Sequence, residues 1–191
     1  MLGCKPSTEA WTKEKWHKPA ECTDVQLNFR AGWYPHAQPF SVGFGGDENK
    51  YTLYPMSRRI NEIPDNETAF VVIHLFLHIL PYHYSAFKNK MTIIRDSVKK
   101  LLTRNTKAKV FIKAPHTYVD SPSGKARMND FFGYVFANIM YDLFSGLHDR
   151  VIYINHRDST DALRIKWNHP DADVVRPLVD QMFSYGCDYT V

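Results

Sequence analysis

The residues best placed for chemistry lie near the end of the chain, in Trp167-Asn168-His169-Pro170-Asp171. A histidine at the entry to a terminal helix can act as a general base. It then needs a carboxylate to fix its tautomer and a nucleophile within hydrogen-bond reach. On residue type alone the same dipeptide reads as a helix-entry turn. A second pair, His74 and His78, stands four apart inside an apolar run. On a strand these side chains share a face but lie roughly 13 Å apart at a rise of about 3.3 Å per residue, too far to share a metal. On a helix they could share one, but residue 75 is Leu and no zinc-protease motif is completed. His78, nearer the strand's carboxyl end, is the better functional candidate, because open α/β sheets bind ligands there.

The cysteines number three, Cys4, Cys22 and Cys187, and none has the C-x-x-C spacing of a zinc or thioredoxin-type site. Cys4 and Cys22 bracket a polar, Trp-containing stretch with no periodicity, which a disulfide would staple. Asn66-Glu67-Thr68 is an N-glycosylation sequon in a polar loop, usable if the chain enters the secretory pathway. Met1–Lys5 has no apolar segment of signal-peptide type behind it, so the chain as written is expected to carry no export signal. Gly43, Gly45 and Gly46 read as turn glycines, with neither the preceding buried strand nor the following helix of a dinucleotide loop. No cofactor or metal site is expected.

Positioning these residues requires a core, and the composition allows one. At 191 residues, 44% hydrophobic and 23% charged, the chain is an ordinary globular protein rather than a disordered or fibrous one. No stretch reaches the roughly 20 apolar residues of a membrane helix. The net charge of +4 hides a basic segment, 88–113, with nine Lys and Arg against the single acid Asp96. Such a segment could meet phosphate or an anionic glycan. Its charges spread round the polar arc of a helix without interleaved aromatics, so a solvated face is expected and nucleic acid is not.

Residues 1–24 read as an irregular, Cys-containing arm and 25–191 as one domain. Phe40–Phe44 and Tyr51–Tyr54, flanking Gly45–Asn49, read as a hairpin or a pair of strands. The continuous apolar run from Ala69 to Leu77 reads as a strand buried on both faces. Phe87, Met91, Ile94, Val98, Leu101 and Leu102 mark an amphipathic helix, and Lys109–Lys113 a second strand. Asn129 or Asp130 can cap a helix with the apolar face Phe132, Phe136, Ile139, Leu143 and a stop at Gly146. Val151–Ile154 is a third strand. A last helix carries Val175, Leu178, Met182 and Phe183, with Pro177 requiring its start to be close by. The alternation predicts an α/β fold with a mainly parallel sheet and helices on both faces.

Phe70–Leu102, Lys109-Val-Phe-Ile-Lys113 and the ending Asn168-His-Pro-Asp-Ala-Asp-Val-Val…Gln181-Met-Phe-Ser-Tyr-Gly-Cys187 resemble the C-terminal domain of the NXPE (neurexophilin and PC-esterase-like) family. The resemblance covers about residues 26–187, and Cys4-Lys-Pro and Trp16…Cys22 also look like elements that precede that domain. It implies a three-layer SGNH-hydrolase-like domain in secreted, disulfide-bonded glycoproteins, whose relatives include enzymes moving acetyl groups on and off glycan hydroxyls. The family site pairs a Gly-Asp-Ser nucleophile on the first strand with an Asp-x-x-His near the C-terminus. His169 matches the base. Lys166 stands where the Asp would be, with Asp158 and Asp161 nearby at other spacings, and Gly-Asp-Ser does not occur in this chain. The nucleophile strand is therefore expected to be missing, leaving an incomplete, catalytically inactive domain that acts as an interaction module toward an extracellular protein or glycan. The alternative is a glycan-directed O-acetyltransferase or acetylesterase using His169 with Ser41, Ser85, Ser121, Ser159 or Thr117 in place of the serine.

Overall fold

The computed structural model describes residues 5–6, 20–34, 55–80, 82–117, 130–165 and 170–187. The chain divides into two compact units, Met1–Met56 and Ser57–Val191. The expected hairpin at 40–54 lies outside the described residues.

The first unit holds β1 (Lys5–Pro6), β2 (Ala20–Asp24) and β3 (Phe29–Trp33) in an antiparallel sheet of that order. The segment read as an irregular arm thus supplies two strands. Asp24 makes the reversal: its Oδ1 accepts the amides of Gln26 and Leu27 at 3.0 and 3.1 Å, and Asn28 takes φ 47° to close the turn. Residues 30–33 of β3 are exposed, so no apolar alternation announced the ribbon in the sequence. A Cβ at Gly32 would sit 2.6 Å from the ring of exposed Tyr34, whose hydroxyl bonds Glu21, so a larger residue there would displace that ring.

The second unit is the α/β domain the alternation predicts. Its helix α1 (Met56–Asn61) leads to β4 (Phe70–Ile73), followed by a 3-10 turn (Leu77–Ile79) and α2 (Tyr84–Arg104). Then come β5 (Lys109–Lys113), α3 (Phe131–Leu143), β6 (Val151–Ile154), α4 (Arg157–Ala162) and α5 (Ala172–Gly186). The three strands are parallel in the order β4-β5-β6, with Phe70 opposite Lys109 and Val110 opposite Val151. Two successive right-handed crossovers in one direction place α2 and α3 on the same face. There the Phe87 and Phe136 rings stack with centroids 4.0 Å apart. The apolar stripe of α2 is buried as its spacing requires, from Phe87 through Leu102.

The other face is covered by α5, whose Leu178 and Met182 pack on Phe111, Ile152 and Ile154. This helix begins at Ala172, a turn earlier than Pro177 suggested. With proline at 177, the Asp173 carbonyl has no intrahelical amide to accept. Coverage by α5 is incomplete: Ile73 is buried, but Phe70 and Val72 remain 36% and 46% exposed. The strand read as buried on both faces is therefore buried on one, since α5 lies over β5 and β6 and β4 is the edge of the three.

Helix α3 turns a slightly different face inward than its apolar pattern suggested, burying Gly133, Phe136, Ala137 and Met140. Small residues at 133 and 137 let other groups reach its backbone: Tyr153 donates to the Ala137 carbonyl at 3.1 Å. Gly146, at φ 82°, ends the segment as expected. At the amino ends of the strands, Asn105 is fully buried and fully satisfied. Its Nδ2 donates to the carbonyls of Pro64 and Glu67 at 2.7 and 2.9 Å, and its Oδ1 accepts the amides of Lys107 and Ala108. Arg150 ties down three further carbonyls, those of Leu102, Asn105 and Ala108.

Candidate functional site

The sequence-derived candidates do not converge among the described residues. His169 and Lys166 lie outside the described residues, as do Ser41, Ser121 and Cys4. Asp158, Ser159 and Asp161 are exposed on α4, and His78 is half-buried in the 3-10 turn. Asn66 is exposed in the loop that Asn105 holds in place, as are Glu67 and Thr68. Cys22 is half-buried on β2, and Cys187 is an exposed free thiol just past α5.

Ser85 and Thr117 do find partners. At the start of α2, His83 is the N-cap, and its Nδ1 accepts the Ser85 amide at 3.3 Å and the Ser85 hydroxyl at 2.8 Å. This caps the helix, satisfying one of its orphan amides, and it also pairs a hydroxyl with an imidazole. Both residues are exposed. Thr117 is buried, and its amide and hydroxyl both donate to Thr160 Oγ1 at 2.9 Å. Thr160 Oγ1 in turn bonds the carbonyls of His156 and Arg157 at 3.1 and 2.9 Å. The Thr117 proton is committed to another hydroxyl rather than to a base.

What the fold does bring together is basic character at the carboxyl ends of the sheet. Strand β4 runs into His74; β5 ends in Lys113 and continues to His116; β6 continues to His156 and Arg157. Extended pairing persists just past the strands, with the Ala114 amide donating to the Ile154 carbonyl at 2.9 Å. His74 Nδ1 lies 3.3 Å from the Lys113 carbonyl, and the His74 and His116 ring centroids are 6.1 Å apart. His156 Nε2 is 2.6 Å from Gln181 Oε1 on α5.

Arg157 is buried, with Nη2 2.6 Å from Asp130 Oδ2 and its guanidinium 3.9 Å over the Tyr134 ring. Its Nη1 lies where a Cβ on residue 133 would have to go, so α3 needs glycine there. Asp130, expected as a cap for α3, makes no side-chain cap bond and serves Arg157 instead. Nearby, burial pushes the Tyr153 hydroxyl up to about 12, partly opposed by the Arg157 charge.

Lys113 differs from its neighbours. By strand alternation its side chain shares the α5 face with Lys109 and Phe111. Lys109 Nζ bonds the Gly186 carbonyl at the end of α5, at 2.9 Å. The Lys113 ammonium has the Ala114 carbonyl at 3.4 Å, the outer limit of a hydrogen bond. Burial lowers it to about 8 from the usual 10.5. Sequence reasoning passed over both Lys113 and Arg157. The usable signal was position: in a parallel sheet, every polar residue just after a strand deserves the scrutiny given to His78.

The helical part of the basic segment is largely a solvated face. Lys88, Lys99 and Lys100 are exposed on α2, while Arg104 is taken up by Asp65 and the carbonyls of Ile60 and Asn61. Among the described residues no group of three or more His, Cys, Asp or Glu could hold a metal, and no helix is long and apolar enough to cross a membrane. No solved structure matches the chain. A family model described as NXPE family member 4-like, C-terminal domain, matches residues 4–187, and the chain therefore belongs to the NXPE family.

Proposed function

We propose that this chain is a secretory-pathway or extracellular NXPE-family protein with an SGNH-like domain that binds a partner and does not catalyse acyl transfer. The observation that carries this reading is the Thr117–Thr160 pair. The hydroxyl at the carboxyl end of the central strand donates to another hydroxyl, both are buried, and the chain contains no Gly-Asp-Ser. Lys166, three residues before His169, supports it further: an ammonium cannot accept an imidazole proton and disfavours imidazolium.

Export is supported by the exposure of Asn66 and by the state of the cysteines. Cys22 is held as a bonded rather than titrating sulfur, Cys187 is free, and Pro6 stands opposite Cys22 in the β1–β2 register, two residues from Cys4. A Cys4–Cys22 disulfide and a glycan on Asn66 belong to this proposal. Expression in secreting cells should give a mass shift removed by both glycosidase and Asn66→Gln; unmodified cytosolic protein would overturn it.

One observation favours the enzymatic alternative, an acetylesterase or O-acetyltransferase acting on glycans. Ser85 Oγ is 2.8 Å from His83 Nδ1 at the amino end of a 21-residue helix. Hydrolysis of p-nitrophenyl acetate separates the readings. The binding reading expects no turnover above buffer. Turnover lost in His169→Ala, or in Ser85→Ala, would replace it with the enzymatic one.

A further inference from the structure

We propose that the carboxyl end of the parallel sheet is an oxyanion-binding site centred on Lys113, taking a ligand that presents a carboxylate, sulfate or phosphate group. The proposal rests on the reading of this domain as a binding one and names the chemistry of what it would hold.

Most basic groups at this end of the sheet already have partners. Arg157 has Asp130 and the Tyr134 face for Nη2 and the guanidinium plane, with Nε and Nη1 sealed from solvent; His156 has Gln181, and His74 contacts the Lys113 carbonyl. Lys113 brings three N–H donors to the end of the central strand and meets one distant carbonyl, that of its own neighbour. An ammonium largely withdrawn from water is disfavoured, and burial lowers its proton affinity accordingly.

The surroundings reinforce the sign of the missing group. Lys109 bonds Gly186 at the carboxyl end of α5, and Phe111 packs on Leu178 further back along that helix. Helix α5 therefore runs opposite to β5, and its amino-terminal, positive pole lies toward the Lys113 end of the strand. His74 on one side and His156 and Arg157 on the other add basic groups to this end, where Asp130 is bonded to Arg157 and Asp171 and Asp173 stand at the amino end of α5. A bound oxyanion would accept from the ammonium what, among the described residues, only the Ala114 carbonyl does. Part of Lys113 remains accessible, whereas Arg157 is sealed, so Lys113 is the group a ligand can reach.

The test uses the intact chain and acetylation by sulfo-N-hydroxysuccinimidyl acetate at pH 8. The neutral amine attacks the ester carbonyl, the hydroxysuccinimide leaves, and the amine proton passes to buffer. Rates at Lys113 and at exposed Lys100 are read by peptide mass spectrometry in chloride, acetate, sulfate or phosphate at equal ionic strength. At least one oxyanion is expected to slow Lys113 about fivefold against chloride as it approaches saturation, with Lys100 changed less than about twofold. The arm that succeeds identifies the oxyanion. Equal effects on both lysines in every arm would overturn the proposal.

A second readout is the rise in melting temperature caused by the same anion, expected in the wild type and lost in Lys113→Met. A rise of equal size in that variant would also overturn the site. If the variant does not fold, the labelling of the wild-type chain still decides. Ester turnover, if found, would remove the binding-only reading and leave both of these results standing.

Discussion

Thr117 Oγ1 donates to Thr160 Oγ1 across 2.9 Å, and the Thr117 amide donates to the same oxygen. The two residues are not equivalent. Thr160 is the hub, bonded also to the carbonyls of His156 and Arg157, and it joins the extension of β5 to the first turn of α4. Thr160→Val leaves a buried amide and a buried hydroxyl without partners and should destabilise the chain by about 2–3 kcal/mol. Thr117→Val keeps the amide bond and should lower stability by only about 1 kcal/mol or less. Urea denaturation of the two variants checks the order. An equal or larger loss in Thr117→Val would show that the hub is misassigned.

Lys113 makes stability depend on pH in a defined direction. Its ordinary value of 10.5 in the unfolded chain falls to about 8 in the fold, so folding disfavours the charged form. The penalty is complete below about pH 8 and fades as pH rises toward 10.5, where the unfolded lysine also loses its proton. Lys113→Met should therefore stabilise the protein below pH 8, by up to about 3 kcal/mol less the share that residual water contact screens. The gain should shrink between pH 8 and 10.5. A Lys113→Met gain that is flat with pH, or a loss, would contradict the burial assigned to this ammonium.

Tyr153 acts in the opposite part of the range. Burial raises its hydroxyl from 10.0 to about 12, so the neutral form is favoured in the fold. This contribution is fully present below pH 10 and is lost as pH rises through 12, because the unfolded tyrosine ionises first. Tyr153→Phe removes the bond to the Ala137 carbonyl, at about 1 kcal/mol near neutrality. It should also flatten the alkaline fall in stability between pH 10 and 12. An unchanged alkaline limb, followed by denaturant midpoint against pH, would refute this.

Asn105 is a fully buried polar side chain at the amino end of the sheet. Its four side-chain bonds fix the Pro64–Glu67 loop beside β4 and the start of β5. Asn105→Ala removes bonds to two part-buried carbonyls and two amides and leaves a gap at a fully buried position, and a loss of about 3 kcal/mol is expected. Because the same loop presents Asn66, glycan occupancy in secreting cells should also change. Occupancy and stability both unaltered would contradict the role given to Asn105.

The elements that carried a strong period were legible in the sequence. Phe87 to Leu102 repeats at helical spacing over four turns, and Val110-Phe-Ile is apolar on both sides because β5 is central and covered on both faces. The features that escaped lack such a signal. The β2–β3 ribbon has little core to create alternation, and the exposure of Phe70 and Val72 depends on how far α5 reaches across the sheet, which no local pattern encodes. The Arg157–Asp130 pair joins residues 27 apart through a glycine in α3. Only the folded sheet brings Lys113 beside His74. His169, the residue the sequence singled out first, falls outside the described residues.

The central claim, a binding domain without a working nucleophile, is tested most directly by fluorophosphonate labelling of the folded chain. Activated serines react with this probe and idle ones do not. The account expects no serine labelled above the heat-denatured control, Ser85 included. Labelling of any serine that disappears on heating, and in either His169→Ala or His83→Ala, would contradict it.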